Sequence, residues 1–356
     1  MHLKRIIPQR SQFRYWTMGR RKNSLSLLLP LTAVSAALAV TACGASQTTA
    51  STAGASSPHQ ASGQGKVLRF GFITSKGTTP ADPIGWAEHT GMLKKYESEL
   101  GVSGIQFIPF VNGPDLTAAM QGGSVDVGEL GDTPAVNARA HGYKSQLIEF
   151  LTMDMDVWLV AKHNGPKTVA DLKGQTVATS PGSYMSRYLL TLLQQEGISQ
   201  DVKVVPIYPE DAQAALQSGR IAAYAAPTYT GPQLEKLGFP VIDQASKHNL
   251  TGTTVVVGAP HFLASHPHFA EAWVRLTQAS LADIKQHPNQ YYQFASRANG
   301  YPVSIIKESV PISDYATKPF PGDAVRSLTS IEQFLVSQKL ITQPFSIRAW
   351  ETNTTK

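Results

Sequence analysis

The feature that most constrains this chain is an alternation of short apolar runs with amphipathic stretches, sustained from Val67 to Gly258. Val67–Ile73, Ile105–Val111, Val125–Val127, Ser145–Leu151 and Val157–Ala161 have the length and composition of strands. Between them, Ile84–Leu100 sets Trp86, Met92, Leu93, Tyr96 and Leu100 at helical core spacings, and Asp115–Gly122 reads as a short helix. A second set follows Gly165-Pro166. It has a helical turn at Val169–Gly174, strands at Thr176–Thr179, Val202–Ile207, Ala222–Ala226 and Val241–Ile242, and helices at Ser183–Glu196 and Asp211–Ser218. Thr254–Gly258 then returns as a strand toward the first set, and helices follow at Phe269–Gln286, Asn289–Asn299, Ser304–Ser309 and Ala324–Lys339. Strands alternating with helices at this spacing predict α/β architecture with a mostly parallel sheet. One set interrupted by another predicts two lobes joined by two crossings, as in a hinged clamp. The expected division is lobe 1 at residues 66–160 plus 255–356 and lobe 2 at 161–254.

The formal charge of +6 is concentrated at one end. Residues 1–42 hold Lys4, Arg5, Arg10, Arg14, Arg20, Arg21 and Lys22 and no acid, so of 31 Lys and Arg these seven leave 24 against 25 Asp and Glu. The remainder is close to neutral, which argues against a nucleic-acid-binding surface. Basic residues ending at Lys22, an uncharged and mostly apolar run from Leu25 to Ala42, and small residues before Cys43 have the order of a secretory signal. Met18 also serves as a start for that signal, and the sequence leaves Sec and twin-arginine export both open. Val40-Thr41-Ala42-Cys43 resembles the bacterial lipobox, which implies a diacylated Cys43 as the mature N-terminus. Residues 1–42 are therefore expected to be a lipoprotein signal peptide. Residues 43–65, almost all Ser, Ala, Thr, Gly and Gln after the cysteine, are expected to be a flexible tether. Cys43 is the only cysteine, so the folded body offers no disulfide, thiolate ligand or cysteine nucleophile.

Three segments carry a resemblance. The first runs Phe110-Val111-Asn112-Gly113-Pro114-Asp115-Leu116, then Ala118-Ala119-Met120-Gln121-Gly122-Gly123-Ser124-Val125-Asp126-Val127-Gly128, then Gly131-Asp132-Thr133-Pro134. The second is Thr168–Ala178 with Pro181-Gly182-Ser183; the third is Tyr208-Pro209-Glu210-Asp211-Ala212 with Ala215–Gly219. Together, over roughly residues 66–280, they resemble the aliphatic sulfonate, taurine and nitrate group of ABC-importer binding proteins, the sulfonate branch most of all. The resemblance implies a two-lobed periplasmic-binding-protein-like fold of type II. It also implies a ligand cleft between the lobes, no catalysis, no cofactor, and a permease and an ATPase as partners of a monomer. Its localisation would be extracytoplasmic, facing the periplasm or the outer surface, and held to the membrane by lipid. The expected ligand is a small organic anion, an aliphatic sulfonate first, with nitrate or a pyrimidine as alternatives. A same-fold enzyme is the other alternative, but the relatives of that kind rely on cysteines that this body lacks.

Two helix starts, at Gly131-Asp132-Thr133-Pro134 and at Gly182-Ser183-Tyr184, are expected to face one cleft and hold the anion on backbone N–H groups without an arginine. Asp132 or Thr133 is expected to cap the first helix, and Ser183 the second, with Tyr184 closing over the ligand. Ser75 and Lys76 follow the first strand, where open α/β sheets place binding loops. Tyr224 and Thr228 lie in a loop that lines the cleft in relatives. There the family shows a tryptophan, an aspartate, a proline and a tyrosine, where this chain has Pro227, Thr228, Tyr229 and Thr230. The missing carboxylate makes taurine a less attractive ligand and a simple alkyl or aryl sulfonate a more attractive one. Asp154 and Asp156 are read as solvated charges of a hinge-side loop. His261, His266 and His268 are read as surface residues, because their spacing matches no helical metal pair. No Walker loop, nucleophile elbow or dinucleotide fingerprint is present.

Overall fold

In a computed structural model of the chain, residues 66–353 are described. The signal segment, the tether and Cys43 lie outside them. Ten strands are β1 (Lys66–Ile73), β2 (Val102–Phe110), β3 (Val127–Gly131), β4 (Gln146–Phe150), β5 (Trp158–Ala161), β6 (Thr176–Thr179), β7 (Lys203–Pro206), β8 (Ala223–Ala226), β9 (Val241–Gln244) and β10 (Thr254–Gly258). The helices of the first half are α1 (Pro83–His89), α2 (Met92–Leu100), α3 (Gly113–Gln121), α4 (Asp132–Ala140), α5 (Tyr184–Gln195) and α6 (Pro209–Gln217). Those of the second half are α7 (Thr230–Lys236), α8 (Pro260–Ser265), α9 (Phe269–Gln286), α10 (Pro288–Asn299), α11 (Val303–Ser309) and α12 (Gly322–Ser337). Among the described residues no helix is long and apolar enough to cross a membrane.

The strands form two sheets of the same design, ordered β2-β1-β3-β10-β4 and β7-β6-β8-β5-β9. Each is less parallel than expected. β1 with β2 and β3, and β6 with β7 and β8, pair in parallel. β10 with β3 and β4, and β5 with β8 and β9, pair antiparallel. The reversed strands are the ones that arrive from the other sheet, β5 after the first crossing and β10 after the second. The expected boundary at residue 160 falls inside β5, which belongs wholly to the second sheet, so the first crossing lies earlier, at residues 151–157. The second crossing, at 251–253, pairs with the first: Met155 and Gly252 exchange both backbone bonds, at 2.9 and 2.7 Å.

Each sheet is covered on both faces, which is why its strands read as apolar runs rather than alternating ones. On the first, the indole of Trp273 from α9 stacks on Phe70 of β1 at 5.2 Å and donates to Glu149 of β4. On the second, Tyr188, Leu189 and Leu192 of α5 fill one face, and Ala212, Ala215 and Leu216 of α6 fill the other. The helix expected at Ile84–Leu100 is two helices. Gly91 takes a left-handed φ of 73°, a conformation open to glycine without steric cost, and turns α2 away from α1.

Candidate functional site

A cavity of about 180 Å³ lies where the ends of both sheets meet. That is room for roughly six waters at about 30 Å³ each, and so for a small ligand. Its walls come from the segments after β1 (Thr74, Ser75), after β6 (Ser180, Ser183) and after β8 (Pro227, Thr228) and from the last residue of β3 (Gly131), which is the carboxyl-end position open α/β sheets use for ligands. The crossing residues Thr152 and Met155, the start of α3, and Asn299 and Tyr301 at the end of α10 complete it. Among the described residues, no lysine or arginine lines it.

The second-sheet wall is built as expected. Ser183 caps α5, with Oγ accepting from the Ser186 N–H at 3.2 Å and donating to the Ser180 carbonyl at 2.6 Å. The N–H groups of Tyr184 and Met185 then open the helix with no acceptor among the described residues, and both residues line the cavity. Tyr184 Oη accepts from the Thr228 N–H at 3.2 Å, and burial pushes its phenol up to about 12. Its ring lies on Gly252, where a Cβ would stand 2.5 Å from Tyr184, so the crossing strand needs a glycine there.

The first-sheet wall differs. α4 is capped by Gly131, and Asp132 is its first residue. The Asp132 N–H is taken by the Thr253 carbonyl at 2.8 Å and Pro134 has none to give, which leaves this helix start the Thr133 N–H alone, and Thr133 does not line the cavity. The Asp132 side chain faces inward, 0% exposed, and accepts from the Thr253 N–H (2.8 Å) and the Thr133 hydroxyl (2.8 Å). Opposite stands Arg187 of α5, 6% exposed, which donates to Asp132 (3.5 Å), Thr133 (3.2 Å) and the Thr251 carbonyl (2.8 Å). This buried cluster ties the start of α4 to α5 and to the second crossing beneath the cavity.

Of the residues singled out in the sequence, Ser75, Gly131, Ser183, Tyr184 and Thr228 line the cavity. Asp132, Thr133, Gly182 and Tyr224 do not: the first two are spent on the Arg187 cluster, and Tyr224 sits 0% exposed within β8. Lys76 also stays outside, its ammonium 4.4 Å over the ring of Tyr301. Asp156 caps the turn at Ser246, accepting from its N–H at 2.9 Å, while Asp154 is exposed. No group of three or more His, Cys, Asp or Glu among the described residues could hold a metal.

Sequence reasoning missed two carboxyls in the wall. Asp82 caps α1, its Oδ1 accepting from the Gly85 N–H at 2.9 Å, and Glu129 stands mid-strand in β3. The carboxylate missing from the 227–230 loop is thus no measure of the site's acidity. A charged residue inside the run Val-Gly-Glu-Leu-Gly was the available signal, because a strand covered on both faces has no solvent side for it. Tyr229 was missed as well; it holds an unusual φ of 65° in the cavity wall and stacks on Tyr301 at 5.6 Å.

The comparisons with known proteins bear on the family and the fold. The family model NMT1/THI5 like matches residues 101–291. A protein of Escherichia coli (strain K12) named for binding aliphatic sulfonates is 33% identical over 223 residues, 61% of this chain and 68% of that one. The alkanesulfonate-binding protein SsuA of Xanthomonas axonopodis pv. citri, bound to MOPS, shares the fold at a TM-score of 0.69 and 19% identity, covering 82% of this chain and 99% of its own. The desulfurization enzyme DSZB shares it at a TM-score of 0.62 and 13% identity, covering 80% and 96%.

Proposed function

The chain belongs to the NMT1/THI5-like family, and on that premise we propose that it is the solute-binding component of an ABC importer. It is exported, held to the membrane through an acylated Cys43 and the following tether, and delivers its solute to a permease and an ATPase as a monomer. The solute is a small organic anion, an aliphatic sulfonate before nitrate or a pyrimidine. Residues 66–150 and 254–353 make one lobe and residues 158–244 the other, with both crossings acting as the hinge.

The observation that carries this reading is the start of α5. Two N–H groups without acceptors among the described residues stand at the positive end of a 12-residue helix, and both residues line the cavity between the sheets. Each charge-assisted hydrogen bond contributes about 1.5–3 kcal/mol, and several reach about −8 kcal/mol, a micromolar Kd. The enzyme alternative finds less support. Cys43 is the only cysteine, so among the described residues 66–353 a thiol-dependent reaction on this fold has no nucleophile.

Calorimetric titration of the full chain against alkanesulfonates of increasing length, nitrate and an aminopyrimidine tests the reading. A Kd of about 10 μM or tighter for an alkanesulfonate is expected, and mass analysis of the same preparation should show diacylglycerol on Cys43. Silence toward every sulfonate, with the pyrimidine bound, overturns the solute class; an unmodified Cys43 in membrane-derived protein overturns the anchor.

A further inference from the structure

The loop from β8 to α7 is strained where it passes the cavity. Tyr229 has φ 65° and ψ −51°, and the Thr230 N–H closes back on the Thr228 carbonyl at 2.8 Å. That is a γ-turn of the rare hand, near φ of about +75° and ψ of about −65°, and a bulky side chain adopts it only at a cost. Such a turn persists only where its surroundings over-determine it. Here they come from both sheets. On the second-sheet side, the Thr228 N–H donates to Tyr184 Oη at 3.2 Å, and Gly231 lies against the Trp158 indole, where a Cβ would stand 2.5 Å away. On the first-sheet side, Ser309 Oγ of α11 accepts from the Tyr229 N–H at 2.8 Å, and Tyr301, just after α10, stacks on the Tyr229 ring at 5.6 Å. Ile305 and Ile306 anchor α11 in the core of the first sheet. Ser309 is 5% exposed and does not line the cavity. At the rim, Lys236 of α7 reaches Glu308 of α11 at 3.1 Å, an exposed pair that adds little. The groups that hold the N–H and the ring of Tyr229 thus belong to the opposite core.

We propose that the Thr228–Thr230 turn is a strained clasp between the lobes, with Tyr229 and Ser309 as its positioning residues: closing forces Tyr229 to positive φ, and opening releases it. This role rests on the proposed closure of two lobes over an anion, and it adds what makes closure depend on the solute. When the lobes part, Ser309 and Tyr301 leave with the first, and Tyr229 relaxes to the negative φ that L-residues prefer. The strain therefore opposes closure over an empty cavity, and the solute's contacts offset it. Tyr184 links the two events. Its N–H opens α5 toward the cavity, and its hydroxyl accepts from Thr228, so a solute seated at that helix start steadies the turn from the cavity side.

Two substitutions at one position separate strain from contact. Tyr229→Ala and Tyr229→Gly both lack the ring, but only alanine carries a Cβ into positive φ. Calorimetry with butane-1-sulfonate on the full chain should show the glycine variant binding about three- to tenfold more tightly than the alanine variant. Urea denaturation of the solute-free variants should show the opposite order or none. With the turn relaxed, glycine gains nothing from positive φ and has the more flexible unfolded chain, so its midpoint lies at or below that of alanine. Ser309→Ala, outside the cavity wall, should weaken butanesulfonate binding about fivefold or more through a faster off-rate, with its solute-free urea midpoint little changed. Equal affinities of the alanine and glycine variants, or a Ser309→Ala loss seen in the midpoint and not in affinity, overturn the clasp and leave the anion reading standing. A higher solute-free midpoint for glycine than for alanine also overturns the clasp, since the turn would then be strained with the lobes apart. Should butanesulfonate fail to bind the parent, the anion reading falls and the solute-free midpoints alone decide the clasp.

Discussion

Arg187→Met lowers the free energy of unfolding by about 3–5 kcal/mol, a far larger effect than loss of a surface ion pair. The reason is what remains behind. Asp132 is 0% exposed, and without the guanidinium its charge faces only the Thr253 N–H and the Thr133 hydroxyl. The Thr251 carbonyl loses its 2.8 Å donor at the same time. Urea denaturation of the variant measures the change. The double variant Arg187→Met with Asp132→Asn should recover a large part of the loss, because removing both charges removes the cost of burying one alone. A single-variant cost below about 1 kcal/mol would mean that the pair does not hold α4, α5 and the second crossing together. Arg187 touches no cavity residue's ligand face, so it is a positioning residue. Its loss should weaken ligand binding only as far as α5 shifts.

The second large effect is a dependence of stability on pH. Glu149 is 1% exposed; burial pushes its carboxyl up to about 8 from 4.5, and the Asp82 charge adds to this against the bonds from Thr277 and Trp273. The native state therefore keeps a proton that the unfolded chain releases above about pH 4.5. Stability falls as pH rises through the window from about 4.5 to 8, by up to about 1.4 kcal/mol per unit, and flattens above it. Glu129, raised for the same reason, acts in the same direction. Glu149→Gln mimics the protonated form. Its carbonyl can accept from Trp273, and its amide can donate to Thr277, whose hydroxyl has the Val274 carbonyl as an acceptor at 3.1 Å. The variant should match the parent within about 1 kcal/mol at pH 5 and exceed it by several at pH 8. Urea midpoints between those pH values decide it, and parallel curves for the two proteins would remove Glu149 as the cause.

What could be read from the sequence, and what could not, divides along physical lines. The start of α5 was legible because its determinants are local: a serine cap, then core residues at helical spacing. The two-lobed fold was legible from order, one α/β set inside another. The strand directions were not, since an apolar run carries no sign of which way it runs, and β5 and β10 are reversed only because of where the chain comes from. Arg187 shares the buried face of α5 with Tyr184, Tyr188 and Leu192, and its partner is 55 residues away, so nothing near it in sequence announces the pair. Asp132 looked like a cap because Asp is a common N-cap and Pro134 fits a first turn two residues on; the helix instead begins a residue earlier, and the carboxylate turns inward to the arginine. Asp82, from the loop before α1, and Glu129, from the middle of β3, meet only across the fold.

A crystal structure of the chain with the tightest-binding sulfonate tests the role of the α5 start most directly. The sulfonate oxygens should stand within about 2.7–3.2 Å of the backbone nitrogens of Tyr184 and Met185, inside the cavity between the sheets. A sulfonate bound at the start of α4, or on the outer surface with those two N–H groups still open, would contradict it.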